Sequence, residues 1–412
     1  MSDDHGHPTH DHGDIISRSE AVELVLSLRS QALETQSAER VPITEAFEGY
    51  VLVDSLVAEF DVPAHSHSTM DGFAFDATEP YPFEVIDGEV FPEDDPPSLE
   101  ANEAVRVATG APIPEEANAV LKIEEATVRD ETLRGSDIDP GTYVYKRGSN
   151  VAAGETLFEA GERLSAKDAI LLRDLGYDSV SVAKQFDIGL LATGTEIQEG
   201  RTADLDSPML ASLVRSWNHE VEYEGAVPDE YDRVEDAIAT IAAERDVVIT
   251  TGGTSVGKKD HVIRELRSLG NVRFHRVRVR PGKPIAAATI PDFDAVVFAV
   301  PGKPVGAHTI ATLVLRPFFT GVKSLPRVTA TASVGIDVPT EGFEYAIPVT
   351  LNDGVAEPLG HESSSLSVYD GMFDPSVLSS STRATRSDGF VLTESGFETE
   401  EPVSVVPYTA TE

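Results

Sequence analysis
The stretch DVVITTGGTSVGKKD, Asp246 to Asp260, decides how the chain is read. Val247, Val248 and Ile249 form a short β-branched apolar run, the pattern of a strand covered on both faces. The run breaks into Thr250, Thr251, Gly252, Gly253, Thr254, Ser255, Val256 and Gly257. Paired glycines let the backbone turn sharply and approach a ligand closely. Amides and hydroxyls there can point at anionic oxygens. A helical pattern follows from His261 to Leu269, so the loop lies near a helix N-terminus, which favours anions. Asp260 serves equally well as a plain N-cap. Taken alone, the loop is a candidate phosphate site or a turn.

Around this stretch strands and helices alternate. A strand Asp187–Ala192 meets the turn Thr193-Gly194-Thr195-Glu196, and a helix spans about Ser207 to His219. Strand Val221–Val227, helix Val234–Arg245 and the central strand follow. Beyond the Gly-rich loop come a helix, a strand Val272–Val279, the turn Arg280-Pro281-Gly282-Lys283-Pro284 and strands over 285–290 and 295–300. Pro301-Gly302-Lys303-Pro304 then leads into a helix ending near Phe319. This order predicts a doubly wound α/β domain with a mostly parallel sheet. Such sheets bind ligands at the carboxyl ends of their strands, where Thr193–Glu196, Gly252–Asp260 and Pro301–Pro304 all fall.

The flanks read differently. Residues 1–14 carry His5, His7, His10 and His12 without apolar period, and read as a disordered tail with incidental metal affinity. Ser17 and Glu20 have capping-box spacing, ahead of a helical stripe of Ala21, Val22, Leu24, Val25, Leu28 and Ala32. Residues 75–143 are predicted β-rich, with short apolar segments punctuated by Pro and Gly. A helix is expected over Ser165–Leu175, closed by Gly176. From Pro326 the chain returns to short strands, at 328–338, 345–351, 389–393 and 403–407.

Composition narrows the function classes. The 412 residues suffice for several domains, and 41% are hydrophobic. Asp and Glu number 71 against 32 Lys and Arg, a net charge of −39. Such a chain repels nucleic acid and anionic lipid. The acidic residues are spread rather than clustered, as expected of a solvated surface suited to high salt, a halophile's, rather than of a docking block for a basic partner. No apolar run is long enough to span a membrane, no signal peptide is evident, and cytoplasmic location is the expectation. With no cysteine, thiolate chemistry is excluded. Against this acidic background Arg273, Arg276, Arg278, Arg280 and Lys283 form a local basic cluster. It is either an anion site or the salt-bridged face of one strand.

The loops together are far more specific than any one of them. MDGFA (70–74), RVATGAPIP (106–114), T-G-x-E (193–196), TGGTSVGKKD (251–260), RPGKP (280–284) and PGKP (301–304) occur in one order. In these motifs the chain resembles the molybdopterin molybdenumtransferase family, whose members include the E domain of gephyrin, from about Ser17 to the C-terminus. The resemblance implies an elongated multidomain protomer of α/β plus β class. Residues 15–48 and 144–184 would form a discontinuous linker and dimerisation domain, and 49–143 a β-rich second domain. Residues 185–325 would be the molybdopterin-binding α/β domain, and 326–412 a small β-barrel-like domain. It implies insertion of molybdate into adenylylated molybdopterin with release of AMP, Mg²⁺ as cofactor, and a homodimer. Molybdopterin adenylyltransferase and apo-molybdoenzymes are the implied further partners.

Carried over residue by residue, Asp71, Glu196 and Asp260 would be catalytic, with Asp71 entering the cleft from the partner subunit. Glu196, Asp206 and Asp260 would stand near the metal. Thr109, Gly110, Thr193, Gly194, Gly252, Gly253, Thr254, Ser255, Gly257, Arg280, Lys283, Pro301, Gly302 and Lys303 would contact the pterin substrate. Hard Mg²⁺ takes carboxylates and water and bridges to phosphates, and with the cations it would neutralise an opening phosphoanhydride. Several positions depart from the family pattern. His65-Ser66-His67 precede MDGFA, Asn150 follows the RRG-like turn, Thr195 stands in T-G-D-E, Pro208 in D-x-N and Lys303 in P-G-N-P, and an Arg expected near Ala346–Pro348 is missing. A carrier paralogue without efficient insertion, and an insertase for tungstate, are the alternatives these leave.

Overall fold
The central strand Val247–Thr251 is buried along its whole length, as its β-branched composition requires. It is hydrogen-bonded in parallel to Asp187–Thr193 on one side and Ala295–Val300 on the other. The computed structural model describes residues 15–35, 37–44, 49–253 and 261–412. Among these, six strands form the α/β sheet. Glu220–Val227, Asp187–Thr193, Val247–Thr251 and Ala295–Val300 run parallel in that spatial order. Ala286–Ile290 and Asn271–His275 complete the edge antiparallel. Helices Asp206–Ser216, Tyr231–Ala242, His261–Leu269 and Pro304–Ile310 alternate with the strands, so the doubly wound reading holds.

The chain forms two compact units. One comprises residues up to Ala38 and from Ala183 onward; the other is Glu39–Val182. In the first, helix Arg18–Thr35 buries Ala21, Val25 and Leu28 in the same core as Leu190, Ile249, Phe298 and Phe318. Its start has the capping box expected from sequence. Glu20 N–H donates to Ser17 Oγ at 3.2 Å, and Ser17 N–H donates to Glu20 Oε2 at 2.8 Å. Residues 15–48 therefore divide between the two units: the helix packs on the α/β sheet, and the second unit starts at Glu39.

The C-terminal strands Glu344–Asn352, Val355–Pro358, Val328–Ala332, Pro402–Pro407 and Gly389–Thr393 pair in that order, and Gly389–Thr393 returns to Glu344–Asn352. This closes a five-stranded barrel around Tyr345, Ile347, Val349, Ala356 and Val405. Its strand Val355–Pro358, between Glu344–Asn352 and Val328–Ala332, was not expected. The expected strand Val272–Val279 is not continuous either. It ends at His275, Arg276 takes φ +76°, and Val279–Arg280 leaves the α/β sheet to pair with Glu344–Tyr345 of the barrel. The arginines of this stretch are therefore not one face of one strand.

The second unit holds a six-stranded sheet in which Gly72–Phe75 lies between Ala119–Lys122 and Glu103–Val107, followed by Phe83–Val90, Thr132–Arg134 and Thr127–Arg129. All four residues Gly72–Phe75 are buried. That rigid strand fixes Asp71 just ahead of it. Ala38–Pro42 pairs with Ser179–Ala183 at the unit's base, and the helix expected near 165–175 spans Asp168–Asp174.

Candidate active site at the carboxyl ends of the parallel strands
Three adjacent parallel strands end at Thr193, Thr251 and Val300, and their turns meet. Gly252 has φ +93°, and a Cβ on it would lie 2.5 Å from the Thr193 carbonyl oxygen. A Cβ on Gly302 would lie 3.0 Å from Gly252 Cα. Thr193 Oγ1 donates to the Thr251 carbonyl at 3.1 Å. The glycines are thus required by backbone contact among the three turns, and they leave a floor of main chain beneath an open cleft.

That cleft has a volume of about 600 Å³. It brings together Thr193, Glu196, Asp206, Gly252, Gly253, Arg280, Lys283, Pro301, Gly302 and Lys303, all singled out from sequence. Gly194 sits in the turn beside them, and a Cβ on it would lie 3.3 Å from Glu196 Oε1. Thr254, Ser255, Gly257 and Asp260 lie outside the described residues, as do residues 1–14 with their histidines. Asp71, Thr109 and Gly110 belong to the second unit. There Asp71 Oδ1 accepts from Thr109 N at 2.7 Å and Thr109 Oγ1 at 2.8 Å. The Thr109 amide, then its hydroxyl, and the nearby Arg106 charge hold the Asp71 carboxyl below the usual aspartate range.

The cleft carries side chains of both charges. Glu196, Asp206 and Asp229 supply carboxylates. Asp206 opens its helix and is 7% exposed. Its Oδ2 accepts from Thr251 Oγ1 at 3.2 Å, while Oδ1 is buried without a partner among the described residues. Burial, opposed by that hydrogen bond and reinforced by Asp204, pushes its carboxyl up to about 6. An orphaned, desolvated carboxylate oxygen suits a hard cation. Among the described residues no group of three or more His, Asp or Glu side chains is close enough to cage a metal alone.

Arg280, Lys283 and Lys303 supply the opposite charge, and among the described residues none is ion-paired with a carboxylate. Burial, then the charges of Arg280 and Arg276, lowers the Lys283 ammonium below its ordinary value. Lys303 Nζ donates to the Ser376 carbonyl at 3.4 Å. The barrel completes the wall with Pro375, Ser376 and Ser379, which sequence reasoning missed. Their short helix Pro375–Leu378 is capped by Asp374, whose Oδ1 accepts from Ser376 N at 2.9 Å and Val377 N at 3.3 Å. The Asp-Pro pair at a helix start was the available signal. Asp229 was missed as well. Its amide donates to Thr195 Oγ1 at 3.1 Å, so the threonine in T-G-T-E anchors a neighbouring acidic residue at the cleft rim.

Fold and cleft define an α/β protein whose strand-end cleft sets Arg280, Lys283 and Lys303 alongside the carboxylates of Glu196, Asp206 and Asp229. Comparison with known proteins makes this specific. Residues 16–176 match the MoeA N-terminal region (domain I and II), and residues 189–321 match the probable molybdopterin binding domain. The molybdopterin molybdenumtransferase of Synechococcus elongatus is 31% identical over 326 residues, covering 74% of this chain and 79% of that one. Gephyrin of Dictyostelium discoideum is 29% identical over 51% of this chain and 34% of its own length. The crystal structure of the molybdopterin biosynthesis MoeA protein from Pyrococcus horikoshii superposes with a TM-score of 0.72 at 25% identity, over 96% of this chain and 99% of that one. The chain belongs to the molybdopterin molybdenumtransferase family, a family of transferases in molybdenum cofactor biosynthesis. No helix among the described residues is long and apolar enough to cross a membrane.

Proposed function
We propose that this protein inserts molybdate into adenylylated molybdopterin and releases AMP, acting as a cytoplasmic homodimer with Mg²⁺. The observation that carries the reading is the cleft itself. Three cations without carboxylate partners among the described residues face a main-chain floor, in a protein of net charge −39. Unpaired Arg and Lys in a partly desolvated site call for an anionic ligand.

In this reading Arg280, Lys283 and Lys303 bind the pterin phosphate and the incoming oxyanion. The floor amide at Gly253 orients the phosphate, while that of Gly252 is held by the Val300 carbonyl at 3.1 Å. Asp206, with Glu196, holds Mg²⁺, and Asp229 provides the further acidic group that Thr195 does not. When bound, the metal offsets negative charge on the phosphoanhydride. Asp71 is brought by a second copy of the chain, its free oxygen oriented by the grip of Thr109 on the other. Asp260, Thr254, Ser255 and Gly257 complete the site by analogy with the family. The spread acidic surface is that of a protein working in high salt, where the repulsion is screened. A molybdopterin adenylyltransferase and apo-molybdoenzymes are the partners such a reaction needs.

The test is AMP release from adenylylated molybdopterin in high salt with Mg²⁺, with and without molybdate or tungstate, using wild type and Asp260→Ala. Oxyanion-dependent release by wild type, lost in the variant, is expected. Tight pterin binding without release under either oxyanion would leave a carrier and refute the enzyme reading. Release with tungstate alone would reassign the metal.

A further inference from the structure
The two inner cations of the cleft share one aromatic ring. Arg280 Cζ lies 4.5 Å from the centroid of Phe343, and Lys283 Nζ lies 5.8 Å from the same centroid. Both distances fall within cation–π range. Two like charges this close repel, and Arg276 adds a third positive field at Lys283. With no described carboxylate paired to either, the ring's negative face is the group that offsets this repulsion.

Phe343 is itself firmly placed. It immediately precedes Glu344 and Tyr345, which pair in register with Val279 and Arg280. Glu344 is gripped by the Arg18 guanidinium through two hydrogen bonds of 2.7 and 2.9 Å, and its amide donates to the Arg278 carbonyl at 2.9 Å. Tyr345 is fully buried, with its hydroxyl donating to the Thr340 carbonyl at 3.0 Å. The ring is therefore set against the turn Arg280–Pro284 by a strand pair and an ion pair.

We propose that Phe343 is a positioning residue of the anion site, holding Arg280 and Lys283 side by side over one ring. The inference rests on the reading of this cleft as the site of an anionic substrate. It assigns to the C-terminal barrel a part in setting the charge of a cleft whose floor belongs to the α/β sheet. A simple packing role is the competing account, since Phe343 also lies against the barrel core.

The experiment separates the two. Binding of sodium molybdate and of inorganic pyrophosphate is measured by calorimetry at constant high salt, over a range of pH. The proteins are wild type, Phe343→Leu, Phe343→Tyr and wild type with Phe343 replaced by mono-, di- and trifluorinated phenylalanine, with thermal melts confirming the fold. Fluorination drains the ring's negative face while nearly keeping its shape. Binding is expected to weaken stepwise with each fluorine and by about tenfold in Phe343→Leu, and to stay within about twofold in Phe343→Tyr. In Phe343→Leu the loss of binding at high pH should also begin at lower pH, because Lys283 gives up its proton more readily. Equal affinity across the fluorinated series overturns the positioning role while leaving the anion site standing. Wild type that binds neither anion overturns both.

Discussion
Glu265 offers the sharpest test of the electrostatics. It lies on helix His261–Leu269 and is only 3% exposed, with Oε1 unpartnered among the described residues. Glu235 and Asp232 approach from helix Tyr231–Ala242. Arg264 opposes them from its own helix, stacked on the Tyr231 ring at 4.1 Å, and Ser268 Oγ donates to Glu235 Oε1 at 3.3 Å. Burial, then Glu235, pushes the Glu265 carboxyl from 4.5 up to about 7. The folded state thus holds a proton that the unfolded state releases. The contribution of Glu265 to stability is fully present below pH 4.5, is lost as pH rises toward 7 and stays lost above it. At about 1.36 kcal/mol per pKa unit the span is at most about 3 kcal/mol.

Glu265→Gln is neutral at every pH and keeps the shape. At pH 8 it should melt on the order of 5 °C above wild type, and at pH 4.5 the two should coincide. The assay is a thermal or urea melt at several pH values in constant high salt. Parallel stability curves for the two proteins between pH 5 and 8 would refute the buried-proton reasoning.

Other outcomes follow from the cleft. Gly252→Ala places a Cβ 2.5 Å from the Thr193 carbonyl in a left-handed backbone, so it should cost roughly 2 kcal/mol or more and abolish pterin binding; a variant with wild-type melting and affinity would contradict the described turn. Thr109→Val removes one of the two bonds to Asp71 Oδ1, so the acid limb of the pH–rate profile should move upward; an unmoved limb would remove Asp71 from the reaction. Asp206→Asn should be stabilised at pH 8 relative to wild type, since burial opposes the charge. The same variant should also lose Mg²⁺-induced stabilisation, and retention of a full metal response would place the ion elsewhere.

Much of this was legible in local sequence, and the reason is physical. Ser17 and Glu20 act over three residues, and Val247–Ile249 declare a strand buried on both faces by composition alone. The turns at Thr193, Gly252 and Gly302 were legible because main chain packed against main chain demands glycine there. What was not legible depends on distant partners. Nothing local to Val272–Val279 announces that the strand breaks at Arg276 and passes its end to the barrel, because the pairing partner lies at Glu344. The strand Val355–Pro358 is short and carries Glu357 and Pro358, so its pattern is weak until the barrel closes around Ala356. Ser376 and Ser379 line the cleft from a helix more than seventy residues along the chain from Lys303. The motif TGGTSVGKKD named a loop whose second half lies outside the described residues, and there the chemical reading still rests on sequence.

The way helix Arg18–Thr35 finds its partners bears on synthesis. On the ribosome this helix emerges well ahead of the sheet that covers Ala21, Val25 and Leu28, which begins only at Asp187, after the whole of Glu39–Val182. At cellular elongation rates the apolar face waits at least on the order of 10 s. Meanwhile the intervening unit, contiguous in the chain, can fold on its own as it is made. The nascent protein therefore carries the apolar stripe of this helix uncovered until the sheet is made, a natural client surface for a holding chaperone.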